Sequence, residues 1–167
     1  MNDAAFAMQF IKELEAEVAS TKKCIERFSM DLFKWKPHER SMEMGYLVQL
    51  CAEIPLWIAY MVNTSEIDLM TFDHIHPSTT QELVDHFTEN VAKARAALEQ
   101  VEDGSLSAIF ELKTNGKVVQ SSTKRESIES TINHMVHHRG QLTVYMRLND
   151  IAVPSIYGPS ADDKTFG

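Results

Sequence analysis

The chain has 167 residues, 44% of them hydrophobic and 24% charged, with only 6 Gly and 5 Pro, so one globular domain spanning residues 1–167 is expected and disordered or collagen-like structure is excluded. Sixteen Lys and Arg against 24 Asp and Glu give a formal net charge of -8, with no basic stripe to override it, which argues against a nucleic-acid partner. The longest apolar run, Ile54 to Val62, falls short of the ~20 residues of a bilayer span, and Met1-Asn2-Asp3 is not the basic start of a signal peptide. A cytoplasmic protein with no membrane contact is expected, with Cys24 and Cys51 as reduced thiols.

From Ala4 to Phe28, apolar Phe6, Phe10, Leu14, Val18, Ile25 and Phe28 recur every three or four positions, which predicts a long amphipathic helix. The segment Leu32 to Arg40 breaks it at Pro37, and Ser41 is the expected N-cap of a second helix from Met42 to Asn63, with Pro55 as an internal kink. Thr64 to Thr80 reads as a polar connection. Ser78 or Thr79 then caps a third helix, carrying Leu83, Phe87, Val91, Ala94 and Leu98 and ending at Asp103-Gly104. Ser105 to Lys124 has no helical period, and Asn115-Gly116 marks a tight turn in a short hairpin or ordered loop. A fourth helix is expected from Lys124 to Asn149, followed by a Pro-punctuated tail. Four amphipathic helices bury their stripes most simply against one another, so the expected fold is an all-α four-helix bundle with a short hairpin or loop before its last helix.

Bundles hold ligand and metal sites between facing helices. On the fourth helix, His134 and His138 are four residues apart and share one ridge, the spacing by which a helix supplies two metal ligands; the same spacing also suits two hydrogen-bonded core histidines. His137 belongs to another face. A zinc-type site generally needs a third protein ligand, which no nearby Glu supplies, so it must come from a different helix. His74 and His76 read as part of a polar loop. No Gly-x-Ser-x-Gly elbow and no Gly-rich phosphate loop occurs.

The run His134-Met135-Val136-His137-His138-Arg139-Gly140-Gln141-Leu142-Thr143-Val144-Tyr145-Met146-Arg147, with Val153-Pro154-Ser155-Ile156-Tyr157-Gly158-Pro159-Ser160 after it, resembles the C-terminal signature of the DinB family, within the DinB/YfiT-like superfamily of metalloenzymes. Phe33 to Met42 and Ala52-Glu53-Ile54-Pro55-Leu56-Trp57 are similar to that family's first interhelical segment and second helix. The resemblance implies an up-down-down-up bundle, a homodimer, and a divalent metal, zinc or nickel, held by one histidine of the second helix and two of the fourth. The fourth-helix pair falls on His134 and His138, whereas the second-helix histidine falls on Leu50, which carries no donor.

Three arrangements follow for the metal: a substitute third ligand from Cys51 or Glu53, a weak site on two histidines, or no metal at all. Leu50, Trp57 and Tyr145 are expected to line the pocket. Arg139, Gln141, Arg147 and Tyr157 are expected to tie the returning tail to the bundle, and Trp35 to anchor the core or its boundary. Two functional readings stand side by side. One is a DinB-like protein with a degenerate metal site and thiol-dependent transferase-like or hydrolase-like chemistry. The other is a non-catalytic, metal-free dimeric bundle that binds a small molecule or a protein partner.

Overall fold

The computed structural model describes residues 2–165, and four long helices carry most of them. Helix α1 spans Asp3–Glu26, opened by the Asn2 side chain, whose Oδ1 accepts from the Ala5 N–H at 3.0 Å. Its apolar stripe of Phe10, Ile11, Leu14, Cys24 and Ile25 is buried. Chain reversal follows through a 3-10 turn at Met30–Leu32.

Helix α2, Met44–Asn63, starts two residues later than expected, and its N-cap is Glu43 rather than Ser41. Glu43 makes no side-chain capping bond. Instead the first N–H groups donate to carbonyls of the incoming segment, Met44 to Trp35 at 2.7 Å and Gly45 to Phe33 at 3.0 Å. That docking needs a glycine: a Cβ on residue 45 would lie 2.3 Å from the Phe33 ring. By length and composition α2 is apolar enough to cross a membrane, at a mean hydropathy of 1.4, but 78% of that stretch is buried inside the bundle, which makes it the core helix. The helix continues through Pro55, which withdraws the N–H due to the Cys51 carbonyl. One residue along, the Ala52 carbonyl accepts from the buried Asn90 Nδ2 at 3.0 Å, a bond that pins α2 to the third helix.

Helix α3, Thr80–Glu99, is capped by Thr79, whose hydroxyl oxygen accepts from the Glu82 N–H at 3.2 Å. It ends before Asp103-Gly104, where Gly104 takes a positive φ of 87°. Helix α4 spans Lys124–Leu148 and opens with a reciprocal capping box between Thr123 and Glu126.

The expected hairpin is present as β2, Ile109–Thr114, and β3, Lys117–Thr123, joined by Asn115 and Gly116 at φ 51° and 74°. The fold is nonetheless not all-α. A third strand, β1 at Glu66–Asp68, lies in the connection after α2 and pairs in parallel with β2, giving sheet order β1-β2-β3. Three residues with one buried apolar position, Ile67, are too few to show a strand period in sequence. Asp68 reinforces the pairing, because its carboxylate accepts from the Gly116 N–H at 2.7 Å and the Asn115 N–H at 3.2 Å across the hairpin turn.

The tail returns along the bundle. Arg27 donates to the Ala152 carbonyl at 2.8 Å, and Arg147 pairs with Asp162 at 2.5 Å. Arg139 is 2% exposed and donates to Ser20 Oγ at 2.7 Å, Thr21 Oγ1 at 3.1 Å and Tyr157 Oη at 2.9 Å while pairing with Glu17. Gln141 does not reach the tail; its partner is His138.

Candidate functional site between α2 and α4

Two contacts set the register of α2 on α4. Thr131 Oγ1 donates to Met61 Sδ at 3.4 Å, and the Trp57 ring lies 5.7 Å from His134. The helices therefore run antiparallel here, and one further turn along each brings Glu53 and Ile54 level with His138, with Leu50 a turn beyond.

The helical spacing does bring His134 and His138 together, with ring centroids 4.4 Å apart and planes inclined at 48°. His138 Nδ1 donates to Gln141 Oε1 at 2.8 Å, which leaves Nε2 with its lone pair. His134 has no hydrogen-bond partner among the described residues. Burial, and then the neighbouring His138 and His137, push its pKa down to about 4. Burial lowers His138 as well, against the opposing effect of its bond to Gln141. Both rings are thus neutral near pH 7.

The other residues singled out from sequence occupy different surroundings. Leu50 is buried in the apolar core, 5% exposed. Cys51 is fully buried, and burial raises its thiol pKa far above the ordinary range, so it is a protonated, apolar side chain. Cys24 is likewise buried and pushed up to about 11, and both cysteines are free. Tyr145 packs edge-on against Trp35, ring centroids 5.5 Å apart.

Glu53 is fully buried and committed elsewhere. It accepts from His74 Nδ1 at 2.7 Å, from the Ile75 N–H at 2.7 Å and from Gln49 Nε2 at 3.3 Å. His74 therefore anchors its loop to α2 rather than waving in solvent. Phe72 on the same loop packs edge-to-face with Trp57, ring centroids 6.0 Å apart. Nothing in the spacing of Glu53 and His74, 21 residues apart, announces this pair; a charged residue inside an otherwise apolar helix was the one available signal.

Beside the histidines lies a pocket of about 190 Å³ between α2, α4 and the sheet. Trp57 and His134 form part of its wall, with Met61, Ile67 and Phe110 as apolar neighbours and Ser130 near the surface. Leu50 and Tyr145 are not among the lining residues. Ile67 is not legible as a wall residue because strand β1 is not, and Phe110, although within the expected hairpin, reaches the pocket only through the packing of the sheet against α2 and α4.

The family model described as DinB family matches residues 1–165. The chain belongs to the DinB family. It is 26% identical over 160 residues to the uncharacterized protein YrdA of Bacillus subtilis (strain 168), covering 92% of this chain and 89% of that one. In fold it is similar to the crystal structure of the DinB-like protein YjoA from Bacillus subtilis, at a TM-score of 0.66 and 21% identity, with 93% of this chain and 99% of that chain covered. A DinB-like protein from Bacillus cereus ATCC 10987 superposes at a TM-score of 0.65 and 20% identity, covering 89% and 95% of the two chains.

The metal centre implied by the DinB resemblance, one α2 histidine and two α4 histidines, does not fit the donors of this chain. His134 and His138 offer two imidazoles. Leu50 offers none, Cys51 is packed in the apolar core, and both oxygens of Glu53 are engaged. Among the described residues no group of three His, Cys, Asp or Glu side chains is disposed to hold a metal ion.

Proposed function

We propose that this DinB-family protein is a metal-free bundle whose α2–α4 site binds a small molecule, with His134 and His138 acting as neutral imidazoles. The observation that carries this reading is Leu50, a buried side chain without a donor where the resemblance puts the third ligand. Leu50 is a packed core residue whose burial contributes about 2 kcal/mol, so this position supplies hydrophobic stability and no metal donor. Losing one of three strong ligands removes most of the affinity that would make such a site catalytic.

A two-histidine site that binds divalent metal weakly is the second reading, favoured by the 4.4 Å approach of the two rings and the lone pair left on His138 Nε2. Elemental mass spectrometry on untagged protein separates the two. The metal-free reading expects far less than one metal per chain in the wild type. It also expects metal uptake by Leu50→His, whose melting temperature falls without zinc and recovers with it. Near-stoichiometric wild-type metal that disappears in His138→Ala would overturn the proposal.

A further inference from the structure

We infer that the pocket beside His134 selects its ligand by charge: it takes an uncharged, single-ring amphiphile and rejects anionic and cationic molecules of the same shape, an assignment that rests on the metal-free small-molecule reading above. Among the described residues, no Asp, Glu, Lys or Arg lines the pocket. His134 is the one titratable side chain in the lining, and near pH 8 even an imidazole with the ordinary pKa of about 6.5 is neutral. A carboxylate, phosphate or ammonium group inside would therefore lose its hydration with no counter-charge to replace it.

The lining is neutral although charged residues adjoin it in sequence. Glu66 and Asp68 flank Ile67 on β1, and Glu111 and Lys113 flank Leu112 on β2, but strand alternation turns all four to the other face of the sheet. There Lys113 pairs with Glu66 at 2.5 Å and with Glu111 at 3.4 Å, and Asp68 accepts from the hairpin turn. On α4, Glu129 precedes Ser130 and stays exposed. One face of the sheet holds the charges, and the other walls the pocket.

Size and shape set the rest of the class. An engineered apolar cavity of about 150 Å³ accepts a benzene molecule. At about 190 Å³ this pocket has room for one ring with a short substituent. The buried Trp57, Met61, Ile67 and Phe110 give it an apolar wall that suits the ring. The two exposed lining residues, Gln120 on β3 and Ser130 on α4, mark its mouth, and both are polar without charge. Ser127 and Thr131, both buried, add hydroxyls to the same lining. Such a surface accommodates neutral donors and acceptors of several kinds, amides as well as hydroxyls, but it has nothing to set against a net charge.

The test titrates full-length, untagged protein near pH 8 with three molecules of nearly one shape: benzamide, which is neutral, benzoate, an anion, and benzamidine, a cation at that pH. Ligand-observed NMR and calorimetry should show one saturable site for benzamide, with both ions weaker by roughly tenfold or more. Gln120→Lys, a change at an exposed strand position, should tighten benzoate by about threefold or more and leave benzamide within about twofold; Gln120→Glu should do the same for benzamidine. Ser130→Trp, exposed on α4 at the mouth, should remove benzamide binding without lowering the melting temperature. Either ion binding as tightly as benzamide, ions indifferent to the Gln120 changes, benzamide indifferent to Ser130→Trp, or no saturable benzamide binding would overturn the assignment. The metal content of the same preparation keeps the two ideas apart: metal near zero with no benzamide binding sinks the ligand class alone, whereas stoichiometric metal lost in His138→Ala sinks the reading beneath it.

Discussion

Glu53 on α2 receives His74 Nδ1 at 2.7 Å and the backbone N–H of Ile75 at the same distance, so one buried carboxylate holds the loop between β1 and α3 against the core helix. Deleting it strands these two donors and Gln49 Nε2 and frees the loop that brings Phe72 to Trp57. Glu53→Ala should therefore cost about 2–4 kcal/mol in urea unfolding and speed amide exchange at Ile75, with Glu53→Gln costing less because it still offers one acceptor. A loss below 1 kcal/mol, with Ile75 still protected, would show that the loop is held by other contacts.

The buried Arg139 joins α4 to α1 through Glu17, Ser20 and Thr21, and to the tail through Tyr157. Removing the guanidinium takes from Glu17 its counter-charge and leaves it the Tyr157 hydroxyl, so Arg139→Met should destabilise by about 3–5 kcal/mol. Tyr157→Phe keeps the ring and loses only the hydroxyl, and should cost about 1 kcal/mol. Limited proteolysis with mass mapping distinguishes them from a global effect: cleavage should begin in residues 150–165 in both variants.

Gly45 is expected to tolerate no side chain. A methyl group 2.3 Å from the Phe33 ring forces the interhelical segment away from the α2 N-terminus, so Gly45→Ala should lose about 1–3 kcal/mol. Phe33→Leu in the same chain should return part of that loss. Equal effects of Gly45→Ala in both backgrounds, measured as a double-mutant cycle, would place the strain elsewhere.

His134 gives the protein a pH signature of definite sign. Its pKa in the folded state is about 4, against about 6.5 unfolded. The unfolded chain thus binds the extra proton first, and the stability that His134 contributes is complete above pH 6.5 and lost as pH falls toward 4. Urea midpoints should drop across that window in the wild type and drop less in His134→Leu. The imidazole carbon-proton resonance of His134 should titrate near pH 4; a midpoint above 6 would contradict the half-buried, uncharged ring.

Much of this architecture is legible in the sequence, and the parts that are not share a cause. Long periodic segments such as Phe6 to Phe28 and Leu83 to Leu98 announce helices because many residues repeat the same signal, and Asn115-Gly116 announces its turn because few residue pairs accept two positive φ angles. Strand β1 was invisible, since its three residues earn strand geometry only from β2 alongside. The N-cap at Ser41 failed for a related reason: carbonyls of Phe33 and Trp35, brought in by tertiary docking, perform the capping that sequence assigns to a side chain. At the site, four-residue spacing was enough to pair His134 with His138. The partner of Glu53 and the sheet wall of the pocket depend on contacts between distant segments, which no local pattern records.

Strand β3 ends on Thr123, and Thr123 is itself the N-cap of α4, so the sheet passes into the histidine-bearing helix without a single spacer residue. Such a splice forbids change in length. One residue inserted before it would flip the outward and inward faces of β3, and one inserted after it would turn His134 and His138 by about 100° relative to the pocket. Natural variation in the length of this region is therefore expected to be confined to the tip around Asn115-Gly116, where added residues extend into solvent and leave the phase between strand and helix intact.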